Sequence, residues 1–268
     1  MNRALVVQCL KNFVIFELEK EIKLNNLSGR ITGQVRKVLH DYEMICEGDR
    51  LAIGLSGGKD SLTLLIAMSN LMRYYPIRFE LEAVTIDLGF EPVENAATLQ
   101  DLTNFCTSLG IRHTIEKTDI GKIVFDYHPT ENPCSLCANM RRGALNNVAK
   151  RLNCTRVVLA HNRDDAIETM LLSLFYEGRI SSFQPVTYLD RIDLHVIRPL
   201  IYTEEKDIKA FVKNANLPII KNPCSANGNT KRQEIKVLIK DLSLINRKIS
   251  SNIFGAVKRS LFQKNTSG

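Results

Sequence analysis

The chain has 268 residues, of which 44% are hydrophobic, enough to bury a sizeable core and too apolar for a disordered chain. Its net charge of +7 is unevenly spread: from Lys221 onward ten Lys or Arg face two acids, while the remainder holds 26 basic and 27 acidic residues. A positive surplus confined to one end suits a polyanion such as nucleic acid, or is simply a solvated basic helix.

In chain order, Ala4–Phe16 is apolar but broken by Gln8, Lys11 and Asn12. It is shorter than the ~20 apolar residues of a bilayer span, so no membrane association is expected, and it lacks a small-residue cleavage site. Residues 1–33 read as an appended helical segment, and Gln34–Met44 as a helix leading into a sheet. Leu51–Leu55 is a short strand running into glycines, followed by a helix from Ser61 to Met72. Phe79–Asp87 reads as a second strand, and Pro92 starts a helix to about Leu109. Ile111–Glu116 is a third strand. Arg156–Leu159 is a fourth, with a helix following through Phe175, and His195–Arg198 is a fifth. Strands alternating with helices imply right-handed crossovers and a doubly wound, five-stranded parallel α/β sheet of Rossmann-like type. The expected division is an N-terminal helical extension over 1–33, a nucleotide-binding domain over 34–228 and a basic helical tail over 229–268.

Between the first strand and its helix lies Ser56-Gly57-Gly58-Lys59-Asp60-Ser61. Paired glycines let backbone N–H groups approach an anion, and Lys59 with two hydroxyls completes a phosphate cradle at a helix start. It is not a Walker A loop, because Asp60 follows Lys59 and the Gly54–Gly58 spacing is one residue short. Downstream, Asn162 is placed to cap a helix with Asp165 in its first turn. Two adjacent acids beside His161 near such a loop point to magnesium and ATP, although acids at a helix start also serve the helix dipole. Asp87, at a strand end, joins the candidates for the nucleotide site. This stretch resembles the PP-loop ATP pyrophosphatase superfamily, with Leu159–Thr169 similar to its second motif. The resemblance implies ATP binding and transfer of AMP to an oxygen.

Seven cysteines without a secretory signal point to a reducing, cytoplasmic setting. Cys9, Cys46, Cys106 and Cys154 sit singly among apolar neighbours and read as small buried hydrophobes. Cys134 and Cys137 form a C-x-x-C behind Pro133, and Cys224 follows a second Asn-Pro. Redox, zinc and iron–sulfur readings compete for this trio; no thioredoxin-like pattern surrounds the pair, and zinc wants a fourth ligand, for which His128 is nearby but not fixed in place. Three thiolates can hold a [4Fe-4S] cluster and leave one iron open.

Pro133–Gly143, Ile197–Leu200, Leu217–Ile220 and Cys224 followed by Asn229-x-x-Arg-Gln233 resemble the tRNA 2-thiocytidine synthetases. The likeness spans about residues 34 to 245. It implies a [4Fe-4S] cluster on Cys134, Cys137 and Cys224, and ATP with Mg2+ on Ser56, Gly57, Gly58, Lys59, Asp60 and Ser61. Asp87, His161 and Arg198 would assist the nucleotide, and Asp165 would hold Mg2+. Asp60, Asp165 and the three cysteines would carry the catalysis, in which a cytidine C2 oxygen at anticodon-loop position 32 is adenylated and replaced by sulfur. The implied partners are tRNA, a sulfur donor (a cysteine desulfurase or sulfide) and a second copy in a homodimer. A uridine-directed or non-tRNA sulfurtransferase, a lysidine-synthetase-like ligase and a zinc-stabilised RNA-binding protein are the rival readings. This sequence departs from the family pattern in having Asn162 where His is commoner, Ala160 for Gly, and one cysteine near residue 224 where many relatives have two. Arg141 and Arg142, on a helix after Cys137, and a stripe of Lys231, Arg232, Lys236 and Lys240 are the candidate RNA contacts.

Overall fold

In this computed structural model the described residues are 26–90, 97–127, 133–220, 224 and 231–262. Most of the expected N-terminal extension, Cys9, Pro92, His128 and Asn229 lie outside them. The first described element, helix α1, covers residues 26–41. It begins earlier and ends earlier than expected, so the junction anticipated at residue 33 falls inside a helix. Its Ile31, Val35, Val38 and Leu39 belong to the main core.

The sheet has six strands rather than five. Strands β1 (Asp49–Gly54), β2 (Phe79–Asp87), β3 (Arg112–Lys117), β4 (Arg156–Val158) and β6 (Leu194–Ile197) are mutually parallel, as expected. The extra strand, β5 (Val186–Leu189), pairs antiparallel with β6 at one edge, giving the order β3-β2-β1-β4-β6-β5. Four residues are too few to show a period, and Tyr188 is exposed. β5 becomes a strand through its partner: the turn at Asp190–Ile192 folds it back onto β6.

Helices cover both faces, and strand periodicity decides which side chain meets which layer. Leu51 and Ile53 of β1 enter the larger core, packed with α1, α2 (Lys59–Met72), α3 (Leu99–Ser108) and α7 (Glu205–Ala215). Ala52, between them, faces the opposite layer, where α5 (Pro133–Arg151) contributes Leu145, Val148 and Ala149. Each fully buried aliphatic side chain stabilises the fold by about 1.5–3 kcal/mol. Strand order reverses between β1 and β4, so a crevice opens at their carboxyl ends, where this class of sheet binds ligands. The β1–α2 loop and the start of α6 (Arg163–Glu177) both project into it.

At the other end of the same strand pair, Asp49 of β1 and Arg156 of β4 form a buried ion pair. The Asp49 carboxylate also accepts from Thr155 Oγ1 and from the backbone N–H of Cys46, each at 2.7 Å. Arg156 in turn donates to Cys46 Sγ at 3.2 Å. Cys46 is exposed, which corrects its reading as a buried apolar residue, whereas Cys106 and Cys154 are buried as expected. Removing one partner of such a pair leaves a buried charge uncompensated. Asp49→Ala should therefore cost about 3–5 kcal/mol in urea unfolding.

Candidate active site at the sheet switch point

The phosphate loop is shaped by what lies behind it. Gly57 has φ +74°, and a Cβ there would stand 2.8 Å from Ile220 Cβ. Ile220 N donates to Gly57 O at 3.0 Å, so the Leu217–Ile220 segment is stitched to the back of the loop. Ser56 Oγ accepts from Gly58 N at 3.3 Å and lies 3.2 Å from Ser61 Oγ, which donates to Gly58 O at 3.0 Å. The two hydroxyls therefore hold the turn closed, with the N-terminus of α2 pointing out of it.

Lys59 is clasped by two acids, with Nζ 2.7 Å from Asp60 Oδ2 and 3.1 Å from Glu205 Oε1. Burial alone would lower its pKa, but Asp60 and Glu205 outweigh burial and hold the ammonium above its ordinary value. Glu205 feels burial in the opposite sense, yet Lys209, Lys59 and Lys236 bring it down to about 2. Both groups are therefore charged throughout the physiological range.

Across the crevice Asn162 caps α6, as the sequence suggests. Its side chain accepts from Asp164 N and Asp165 N, while Asp165 Oδ2 accepts from Asn162 N at 2.9 Å, a reciprocal capping box. Asn162 Nδ2 also donates to Asp60 Oδ1 at 3.0 Å, coupling the loop to α6. The Asp165 carboxyl is raised, chiefly by burial and in part by Asp60, with the Asn162 N–H and Arg232 pulling the other way. A divalent cation between Asp60 and Asp165 would relieve that repulsion. The oxygens not engaged by Asn162 are Asp60 Oδ2, on Lys59, and Asp165 Oδ1, 3.5 Å from Arg232.

His161 stacks on Phe183, with ring centroids 4.2 Å apart, and its Nδ1 accepts from Arg198 Nε at 3.2 Å. Burial, reinforced by Arg198, Arg232 and Arg142, pushes its pKa down to about 3. The ring is neutral, with its proton on Nε2. Arg198 is itself lowered to about 10, by burial and by Arg142. It is positioned by donating from Nη1 to Gln184 O at 2.7 Å and to Thr187 Oγ1 at 3.1 Å. Thr187 lies on β5, so the strand that sequence reasoning missed helps to aim Arg198.

The cysteines arrive on α5. Cys134, Cys137 and Arg141 recur at one-face helical spacing, and Arg142 is the arginine felt by His161 and Arg198. Cys134 is exposed, and Cys137 and Cys224 are half-buried. The Cys137 thiol is raised, first by burial, with Arg141 opposing and Cys224 and Cys134 adding to the rise. The third cysteine thus comes within electrostatic reach of the pair despite its distance in sequence. Among the described residues no three His, Cys, Asp or Glu side chains stand close enough to share one metal ion. The all-sulfur donor set of Cys134, Cys137 and Cys224 suits a [4Fe-4S] cluster.

Asp87 ends β2 on the same edge, where its Oδ1 accepts from Gly89 N at 3.0 Å. Among the described residues no hydrogen bond or ion pair of Asp87 reaches the loop. Sequence reasoning also missed Glu205, Glu168 and Phe183. Glu205 and Phe183 carry no motif signal, whereas Glu168 sits inside the Leu159–Thr169 stretch, where it was given no role. It is 2% exposed. Burial raises its carboxyl to about 7 against Lys236 and Arg232. The expected RNA-facing stripe is also corrected. Arg232 and Lys236, on α8 (Lys231–Ile245), turn inward onto Asp165, Glu168 and Glu205. Lys231 lies over the Tyr176 ring, and only Lys240 remains an exposed cation of the four without an ion pair or ring contact among those described.

A doubly wound sheet with a Gly-Gly-Lys-Asp loop at its switch point and an acid-tipped helix opposite defines a nucleotide-binding protein of the PP-loop class. The PP-loop domain family matches residues 28–242. The tRNA-cytidine(32) 2-sulfurtransferase of Pelobacter propionicus is 38% identical over 227 residues, covering 84% of this chain and 83% of that one. The enzyme of the same name from Syntrophotalea carbinolica is 36% identical over 240 residues, 88% of each chain. The U34-tRNA thiolase NcsA from Methanococcus maripaludis, solved with its [4Fe-4S] cluster, superposes with a TM-score of 0.72 at 23% identity, over 88% of this chain and 79% of that one. This last likeness shows the shared fold. The chain belongs to the tRNA-cytidine(32) 2-sulfurtransferase family.

The neutral His161 makes a prediction about pH. Its folded pKa lies below the ordinary value of about 6.5, so at acid pH the unfolded chain binds a proton that the folded chain does not. The resulting stability is present above pH ~6.5 and is lost progressively as pH falls toward 3. An NMR titration should show the His161 ring remaining neutral from pH 8 down to 5. A midpoint near 6.5 would remove the arginine-lined pocket as its cause.

Proposed function

We propose that this chain is an ATP-dependent tRNA sulfurtransferase that replaces the C2 oxygen of a cytidine, at position 32 of the anticodon loop, with sulfur. The observation that carries this reading is that one helix, α5, brings Cys134 and Cys137 toward Cys224 and also sends Arg142 to the His161–Arg198 side of the phosphate loop. That proximity supports nucleotide and sulfur chemistry in one crevice. The named relatives, similar over most of both chains, support the same activity.

In this reading the loop N–H groups and Lys59 hold the phosphates of ATP, and Asp60 and Asp165 are the acids that would hold magnesium. The cytidine C2 oxygen attacks the α-phosphorus and pyrophosphate leaves, producing an O-adenylated base. Lys59 stabilises charge on the departing phosphates. His161 can donate a hydrogen bond from Nε2 but has no second proton to release, so it orients rather than acidifies. Arg198 and Arg142 keep the pocket positive for the adenylate. Sulfide then adds at C2 and AMP leaves, forming the thiocarbonyl. A [4Fe-4S] cluster on Cys134, Cys137 and Cys224, with its fourth iron held by no cysteine, would supply a place to hold that sulfide.

The tRNA itself would approach from the side of the exposed Arg141 and Arg142, with Lys240 further along α8. A cysteine desulfurase or free sulfide as donor, a homodimeric state and a cytoplasmic setting belong to the same proposal. A basic helical tail from residue 229 is likewise proposed.

The decisive experiment is nucleoside mass spectrometry on tRNA from a host lacking its own 2-thiocytidine enzyme. Expression of this chain should restore 2-thiocytidine, and Cys134→Ser, Cys137→Ser or Cys224→Ser should each abolish it while leaving ATP binding intact. Soluble, iron-loaded protein that changes no thionucleoside would remove the cytidine assignment.

A further inference from the structure

Arg232 and Lys236 stand about one helical turn apart on α8, and both point into the nucleotide crevice. Arg232 Nη1 lies 3.1 Å from Glu168 Oε2 and 3.5 Å from Asp165 Oδ1, and Nη2 lies 3.2 Å from Thr169 Oγ1. Lys236 Nζ lies 3.5 Å from Glu168 Oε1 and 3.6 Å from Glu205 Oε1. Glu205 is also the partner of Lys59 at 3.1 Å. Asp165 is linked through Asn162 to Asp60, the other partner of Lys59. The contacts close into a ring around the phosphate loop: Lys59, Glu205, Lys236, Glu168, Arg232, Asp165, Asn162, Asp60 and back to Lys59.

Two features suit this ring to binding an anion. The links made by α8 are long, 3.1–3.6 Å, where a settled charge-assisted hydrogen bond is about 2.7–2.9 Å. The acid shared by both cations, Glu168, is almost wholly buried. A buried carboxylate with only loose partners is a costly way to anchor a helix. It is a reasonable way to hold two cations at low strength beside the place where a polyphosphate will sit. The mechanism above uses Lys59 and leaves Arg232, Lys236 and Glu168 without a part.

We infer that Arg232 and Lys236 are ligands for the polyphosphate of ATP, delivered over the loop by α8 and held there by Asp165, Glu168 and Glu205 until the nucleotide takes them. The inference rests on the proposed ATP-dependent activity and assigns further binding residues to that same site. It also reassigns two basic residues of the C-terminal segment from RNA to ATP.

Isothermal titration of the full chain with ATP, AMP and inorganic pyrophosphate, alongside tRNA binding, tests it. Arg232→Gln and Lys236→Gln should each weaken ATP and pyrophosphate binding by about tenfold while leaving AMP and tRNA affinities within about twofold. Glu168→Gln should do the reverse, tightening ATP binding by releasing both cations, and it keeps the test open should Arg232→Gln fold poorly. Equal weakening of ATP and AMP in the two cation variants, weaker ATP binding by Glu168→Gln, or loss of tRNA affinity with ATP affinity unchanged would each overturn the inference. Wild-type protein that binds ATP but is indifferent to these substitutions defeats this inference alone. Wild-type protein that binds no ATP defeats the proposed function with it.

Discussion

At Gly57 the backbone turns with a positive φ and presents no side chain to Ile220, whose own N–H closes a hydrogen bond onto the turn. This contact joins the nucleotide half of the site to the segment that leads toward Cys224. A methyl group at residue 57 would meet backbone strain and an immovable Cβ at once, since the opposing atom is the root of Ile220 and not the tip of a flexible chain. Push the two apart and the hydroxyls of Ser56 and Ser61 lose their closed turn. The glycine here is a requirement of close approach, with phosphate access a second benefit of the same geometry.

Electrostatics divide the crevice into two regions with different logic. On the α7 and α8 side each cation is matched by a carboxylate, so Lys59, Arg232 and Lys236 are charged and locally neutralised. On the α5 and β6 side the charges of Arg142 and Arg198 both act on a neutral imidazole, and Arg198 is lowered because burial and Arg142 both oppose its charge. A protonated His161 would place a third cation among them, and the fold avoids it by burying the ring on Phe183. The matched side can accept an anion only by exchanging partners. The unmatched side gains directly from any anion that enters.

β1 was legible as an apolar run ending in glycines and β2 as an alternating segment that turns apolar, and the phosphate loop because it sits between the first of these and a helix. Asn162 was legible as a cap, since a residue of that type before two acids satisfies open N–H groups at a helix start. β5 was not, because a strand of four residues at an edge is created by its partner and not by its own pattern. The inward turn of Arg232 and Lys236 was hidden for a related reason. A basic residue every fourth position looks the same whether the stripe faces water or a buried acid, and the acid in question, Glu168, lies 64 residues upstream of Arg232. Cys46 was misread because apolar neighbours in sequence do not place its sulfur, which meets the Arg156 guanidinium at the amino ends of β1 and β4.

The different settings of the thiols have a practical side. Cys106 and Cys154 are pushed up to about 11 by burial and present almost no nucleophilic thiolate near neutral pH. Cys134, by contrast, is open to solvent, and so is Cys46 on the far end of the sheet. A mild alkylating reagent applied to the native protein would therefore leave the core sulfurs untouched. Labelling at Cys134 reports whether its sulfur is engaged, with Cys46 as an internal standard in the same chain, so occupancy of the sulfur site can be followed without reference to colour or turnover.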